Sequence, residues 1–287
     1  MTLRKVQKLL YSHQVDMGGI PVRQPLPSQQ VDQIDPFILI HHHKSEVQAG
    51  SRPLATGVGP HPHRGFSPVT FIYEGDVNHR DSRGNNSIVK AGGVQWMNAG
   101  MGIIHSERPS AEFAERGGKQ EIIQLWINTP AKFKMDQPAY YALDKNNIPV
   151  VEENGNRIAV VAGNYKGNQG FDKSQAEVLI LNIEGKAGSE LNLEVPEAWN
   201  ACLYNFDGAI MDAGFGLIEP LYLALYQQSG TSIQLQLRED TRILLLCGKP
   251  IQEPLVSYGP FVMNSESQIM EAMRDYQMGK MGMLIEE

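Results

Sequence analysis

Short apolar and β-branched runs recur along the chain: PFILI, VTFIYEG, VQWMNAG and IIQLWIN, then RIAVVAG, VLILNI, LYLALY and RILLLC. Clusters of Gly, Pro, Asn and Asp separate them, residues that interrupt a sheet ladder or supply turn geometry. Runs this short, with no helical repeat between them, predict a β-sandwich or barrel rather than parallel βαβ units. In the first half EGDVN and DSRGNNS read as turns, and EGKAGSE and QQSGTS do the same in the second. Helical spacing stands out only near the end, where Ile269, Met273 and Tyr276 follow the capping pair Ser265 and Gln268, with Gly279 as the stop.

The strand pattern lapses between Thr129 and Asn156, where TPAKFKMDQP and DKNNIPVVEENGN are polar and carry prolines. A boundary near residue 140 divides the 287 residues into 1–140 and 141–287, each long enough to bury its own core. No residue-level repeat relates the halves, although both read as successions of similar strands. With 25 basic against 32 acidic side chains, the net charge of -7 offers no positive field to a phosphate backbone, so direct nucleic-acid binding is not expected. Cys202 and Cys247 lie in apolar surroundings and are too few for a disulfide framework, which suits a reducing compartment. No apolar run is long enough for a signal peptide or a membrane span, so a cytoplasmic protein is expected.

The chemistry concentrates in two short segments. His61 and His63 flank Pro62 in GVGPHPHRGF, and residues two apart on an extended chain project from one face. Pro62 cannot donate to a ladder, and Gly57, Gly59 and Pro60 mark an irregular approach, so this strand is expected at a barrel rim, where small ligands bind. His105 and Glu107 repeat the same spacing in GGVQWMNAGMGIIHSE, after a Gly-rich turn that would bring the chain back as a neighbouring strand. Three neutral imidazoles and one carboxylate suit Fe, Mn, Ni, Cu or Zn and are ill suited to Ca or Mg. Four protein ligands leave two positions open on an octahedral ion.

Other histidines carry weaker signals. His41, His42 and His43 in HHHK include a second His-x-His, but histidines at a strand end need no function. His79 stands two residues before Asp81, which reads first as a hydrogen-bonded hairpin histidine and second as a group that orients a ligand. Glu74 before Gly75 reads as a residue flanking a turn. No histidine follows His105, so the second half cannot build a comparable centre and is expected to be structural or interactive.

HPHRGF, the EG turn, HRDSRG, QWMNAGMGIIHSE, QLWIN and the late YGPFVMN together resemble the pirin family. The resemblance spans both halves and is densest between Gly57 and Asn128. It implies an all-β chain of two tandem cupin barrels with few short helices and a C-terminal helix, the first barrel binding metal and the second lacking ligands. It assigns the metal to His61, His63, His105 and Glu107, as one divalent transition metal per chain with iron foremost. Two departures stand out: Ser67 occupies the position where the wider cupin pattern often carries a carboxylate, and HHHK replaces the acidic and aromatic residues common after that strand in pirins.

The same resemblance implies a quercetin 2,3-dioxygenase activity, which opens a flavonol ring with molecular oxygen and releases carbon monoxide. A small aromatic substrate and O2 are then the expected partners of a monomer. A cation with one carboxylate ligand keeps net positive charge, which favours an incoming flavonolate oxygen and lowers the pKa of its hydroxyl, and Glu107 is the candidate base for that proton. Arg64 and Phe66 are candidates for the entrance, and Gln95, Met97, Gln124 and Trp126 alternate on strands expected to face the cavity, substrate-binding candidates all. A different class of function is a metal-dependent regulator or redox sensor whose surface binds a transcription factor or metabolic enzyme. A metal-dependent isomerase or decarboxylase fits the ligands but has no feature in its favour.

Overall fold

The structure, a computed structural model, describes residues 2–286. Residue contacts divide the chain into two compact units, neither contiguous in sequence. The first takes residues up to Asp16, then Arg23–Leu39 and Ile148–Ile251, and the second takes Met17–Val22, Ile40–Asn147 and the residues from Gln252 onward.

The first unit is two antiparallel sheets. One runs in the order Val6–Tyr11, Tyr222–Tyr226, Asn200–Asp207, Thr241–Gly248, Val178–Gly185, Asn156–Ala162 and Val150–Glu153. The other holds Glu190–Glu194, Ser232–Leu237, Ile210–Asp212 and Gly216–Ile218. Sequence texture follows position in the sheet. Thr241–Gly248 lies between two partners and is covered on both faces, so it reads as a continuous apolar run with Leu244, Leu245 and Leu246 fully buried. Glu190–Glu194 alternates exposed and buried residues, sending Leu191 and Leu193 to the core and glutamates outward. Each such leucine contributes roughly 1.5–3 kcal/mol by leaving water.

In the second unit a sheet of Ala139–Leu143, Val94–Asn98, Phe66–Glu74 and Gly118–Asn128 continues into the strand Phe37–Val47, whose residues from Ile40 on belong to this unit. A four-stranded sheet of Val58–His63, Ile103–Arg108, Asp76–Asp81 and Asn86–Lys90 completes the barrel. The expected C-terminal helix is present as Glu266–Gln277. Ser265 caps it by accepting from Gln268 N, while the Gln268 side chain accepts from Asn264 N, one residue earlier than a capping box requires. Its buried face is Ile269 and Ala272, with Met273 partly covered and Tyr276 40% exposed, so the packed stripe is rotated from the expected one. That face packs on Ile104, Phe261, Met263 and Met281 of the same unit. No helix among the described residues is long and apolar enough to cross a membrane.

Candidate metal centre

Strand register brings the two His-bearing segments together. Ile103–Arg108 pairs antiparallel with Val58–His63, setting His105 opposite His61 and Ile103 opposite His63. The register slips between His105 and Glu107, at the point where Gly57 approaches: a Cβ on Gly57 would lie 2.5 Å from the Glu107 carbonyl oxygen, and its φ of 71° already excludes most side chains. One ligand nitrogen from each of His61, His63 and His105 then falls within 4.8 Å of the other two.

The hydrogen bonds assign the tautomers. His61 Nδ1 donates to Gly59 O at 2.8 Å, and His63 Nδ1 donates to Pro260 O at 3.4 Å. His105 Nδ1 lies 3.4 Å from His79 Nδ1, and His79 Nε2 lies 2.9 Å from Asp81 Oδ2. The carboxylate can only accept, so His79 Nε2 carries a proton, its Nδ1 accepts, and His105 Nδ1 donates. In all three imidazoles the Nδ1 proton is thus spoken for and the Nε2 lone pair is left over. His63 Nε2 and His105 Nε2 are buried with no hydrogen-bond partner. Burial first, and then the neighbouring His61, push the pKa of His63 and of His105 well below the usual histidine range, which keeps both rings neutral and able to donate a lone pair. Two unsatisfied buried nitrogens are costly as they stand, and a cation at their meeting point satisfies both. The donor set therefore fits a divalent transition metal.

Glu107, two residues after His105 on the same strand, is 8% exposed, and its carboxylate oxygens are not among the ligand atoms that converge in the histidine cluster. Thr70 Oγ1 donates to its Oε1 at 2.9 Å and Gln124 Nε2 to its Oε2 at 2.7 Å. Trp126 Nε1 in turn donates to Gln124 Oε1 at 3.0 Å, fixing which way that amide faces. Phe66 and Trp126 wall the cluster: their rings lie 4.3 Å apart, and 5.0 and 5.4 Å from His63.

The remaining candidates lie elsewhere. Arg64, expected at the entrance, is buried at 2% exposure and commits its Nε to Met101 O and its Nη2 to Asp275. Gln95 donates to Val77 O, and Met97 packs with Ala99, Ile103 and Tyr140. The HHHK histidines alternate across their strand and do not converge: His42 pairs with Glu121, which also holds Lys44, and His43 bonds Pro21 O and Ser45. Burial lowers His41 to a pKa of about 4. His79, read from its spacing to Asp81 as a hydrogen-bonded histidine or one that orients a ligand, bonds both Asp81 and His105, and two further contributors escaped the sequence reading. Tyr140 stacks on His79 with centroids 3.8 Å apart, and Thr70 grips Glu107. Nothing local marks either of these two.

The Pirin family model matches residues 19–127, and that of the Pirin C-terminal cupin domain matches residues 180–282. The chain belongs to the pirin family. A pirin-like protein of Solanum lycopersicum is 36% identical over 283 residues, covering 96% of this chain and 92% of its own length. Human pirin is 31% identical over 286 residues, covering 97% and 94%. Among solved structures, a quercetin 2,3-dioxygenase from Acinetobacter baumannii superposes with a TM-score of 0.92 at 35% identity, covering 99% of this chain and all of the other. The two-barrel cupin architecture of this pirin is thereby shown, together with a histidine triad in one barrel suited to a metal.

Proposed function

We propose that this pirin is a metal-dependent dioxygenase of the quercetin 2,3-dioxygenase type, opening a flavonol-like ring with O2. The observation that carries the reading is the pair of partnerless Nε2 atoms on His63 and His105, buried beside His61. His61, His63, His105 and Glu107 hold the ion in this reading, with iron as the first candidate and Mn, Ni, Cu and Zn behind it. When bound, a divalent ion supplies Lewis acidity toward a substrate oxygen and a route for O2 activation.

The protein's own groups do the rest. His61 is the most open of the three imidazoles, so a substrate reaches the centre from its side. Trp126, part-exposed and packed against the fully buried Phe66, offers a flat apolar face against which an aromatic ring system stacks. Glu107 has one donor on each oxygen and lone pairs to spare, so it accepts the flavonol hydroxyl proton as a general base while Thr70 and Gln124 hold it in place. Support for the substrate class comes from the similarity to the A. baumannii quercetin 2,3-dioxygenase over the whole chain. The test is oxygen uptake with quercetin by Fe(II)-loaded protein beside His61→Ala and Glu107→Ala. Uptake by the parent alone is the expected result; no uptake, or equal uptake in all three, removes the proposal.

A further inference from the structure

Strands two residues in period show one set of side chains to the barrel interior and the other set outward. On Ile103–Arg108 and Asp76–Asp81 the inward set is His105, Glu107, His79 and Asp81. The outward set is Ser106, Arg108, Asn78 and Arg80, with Ser106 directly across from Arg80 and Arg108 across from Asn78. These four residues floor a cavity of about 370 Å³ that none of the clustered histidines lines, with Arg52 at its side and Pro53, Leu54 and Pro109 among its apolar walls. The size falls within the range of small-molecule sites, roughly 300–1,000 Å³.

The cavity gathers three guanidinium groups and one carboxylate. Arg108 is held rigidly, with Nη1 donating to Leu54 O at 2.9 Å and Thr56 O at 2.8 Å. Its Nε and Nη2 grip Glu286 at 2.9 and 2.7 Å, and that side chain is only 8% exposed. Arg108 first, then Ser106 and the field of Arg80, hold the Glu286 carboxyl below the usual glutamate range against the opposing effect of burial. Arg52 and Arg80 line the same space, and no side-chain hydrogen bond or ion pair engages either guanidinium among the described residues. A fork aimed at a carboxylate, two uncommitted cations and apolar walls describe a receptor for an acid head on an apolar body.

We propose that this cavity binds a small organic carboxylate, its head group between Arg80 and Arg108 and its apolar body against Pro53, Leu54 and Pro109, with Glu286 as the chain's own occupant of the Arg108 fork. The site is independent of the metal and of the dioxygenase reading.

The probe is sodium benzoate, titrated calorimetrically into the full chain, with benzamide as the neutral counterpart. Saturable one-to-one binding of benzoate and none of benzamide is expected. Arg80→Gln should weaken it about tenfold through loss of one charge-assisted contact, and Arg80→Lys should retain most of it. Glu286→Gln should tighten it, because a competing carboxylate is gone. Benzoate binding absent from both the parent and Glu286→Gln overturns the site, as does binding indifferent to Arg80→Gln or matched by benzamide.

Discussion

His79 Nδ1 sits 3.4 Å from His105 Nδ1, on the side of the His105 ring away from the triad's meeting point. Asp81 behind it, at 2.9 Å, makes the sequence Asp81, His79, His105 a chain of fixed proton positions that aims the His105 Nε2 lone pair. Tyr140 stacked on His79 blocks the ring from turning. Replacing His79 with Phe keeps a ring against Tyr140 but removes the acceptor. Affinity for a divalent metal should then fall roughly 10–100-fold, the range seen when partners of metal-bound histidines are lost. Competition with a chromophoric chelator measures it, and an unchanged affinity would show His79 to be mere packing.

Metal removal should destabilise the barrel that holds the triad. An ion that binds only the folded state stabilises it by about 2.7 kcal/mol when free metal exceeds its Kd a hundredfold. Thermal unfolding of metal-loaded protein with and without EDTA should show a lower midpoint after chelation. In His63→Ala the chelator should have no effect, because one of the two orphaned nitrogens is no longer present.

The legibility of this chain followed the range of the interactions involved. Short apolar runs gave the β character directly, because a strand's pattern is local, and His61-x-His63 and His105-x-Glu107 disclosed their shared faces through the two-residue period alone. Thr70 and Tyr140 were invisible because their importance depends on cross-strand register, which sets Thr70 beside Gln124 and Tyr140 beside Met97 and which no single segment encodes. Arg64 misled for the same reason. Adjacent to His63 in sequence, it looks like part of the site, yet its partner Asp275 is 211 residues away on the C-terminal helix. That helix was legible from its cap and period, while its buried stripe depended on what packs against it.

Gln124 is the residue through which Trp126 and Glu107 are linked, and Gln124→Leu removes one of the two donors on the Glu107 carboxylate. If Glu107 takes the substrate proton, a looser carboxylate should lower kcat of quercetin-dependent oxygen uptake about tenfold, within the contribution usual for general-base catalysis. Metal content should change little, since His61, His63 and His105 are untouched and Glu107 keeps its Thr70 donor. Steady-state kinetics beside elemental analysis separates the two effects; a loss of metal equal to the loss of rate would assign Gln124 to metal retention instead.

Arg64 and Asp275 form a buried pair at 3.0 Å, with side chains 3% and 8% exposed, and Lys280 adds a second cation on the other carboxylate oxygen at 2.8 Å. Arg64→Leu leaves the carboxylate to Lys280 alone and should cost roughly 1.5–3 kcal/mol, the usual worth of a hydrogen bond to a charged group. The pair also sets a pH dependence. Lys280 first, and Arg64 after it, hold the Asp275 carboxyl below the usual range, outweighing burial, which acts the other way. A carboxyl depressed in the folded state contributes stability that is complete above its unfolded pKa of about 3.9, and that contribution is lost as pH falls through the folded value. Denaturant titrations between neutral pH and pH 3 should show the loss beginning only below about pH 4. In Asp275→Asn stability at neutral pH should be lower and this part of the acid dependence absent; an acid limb identical to that of the parent would mean that other carboxylates carry it.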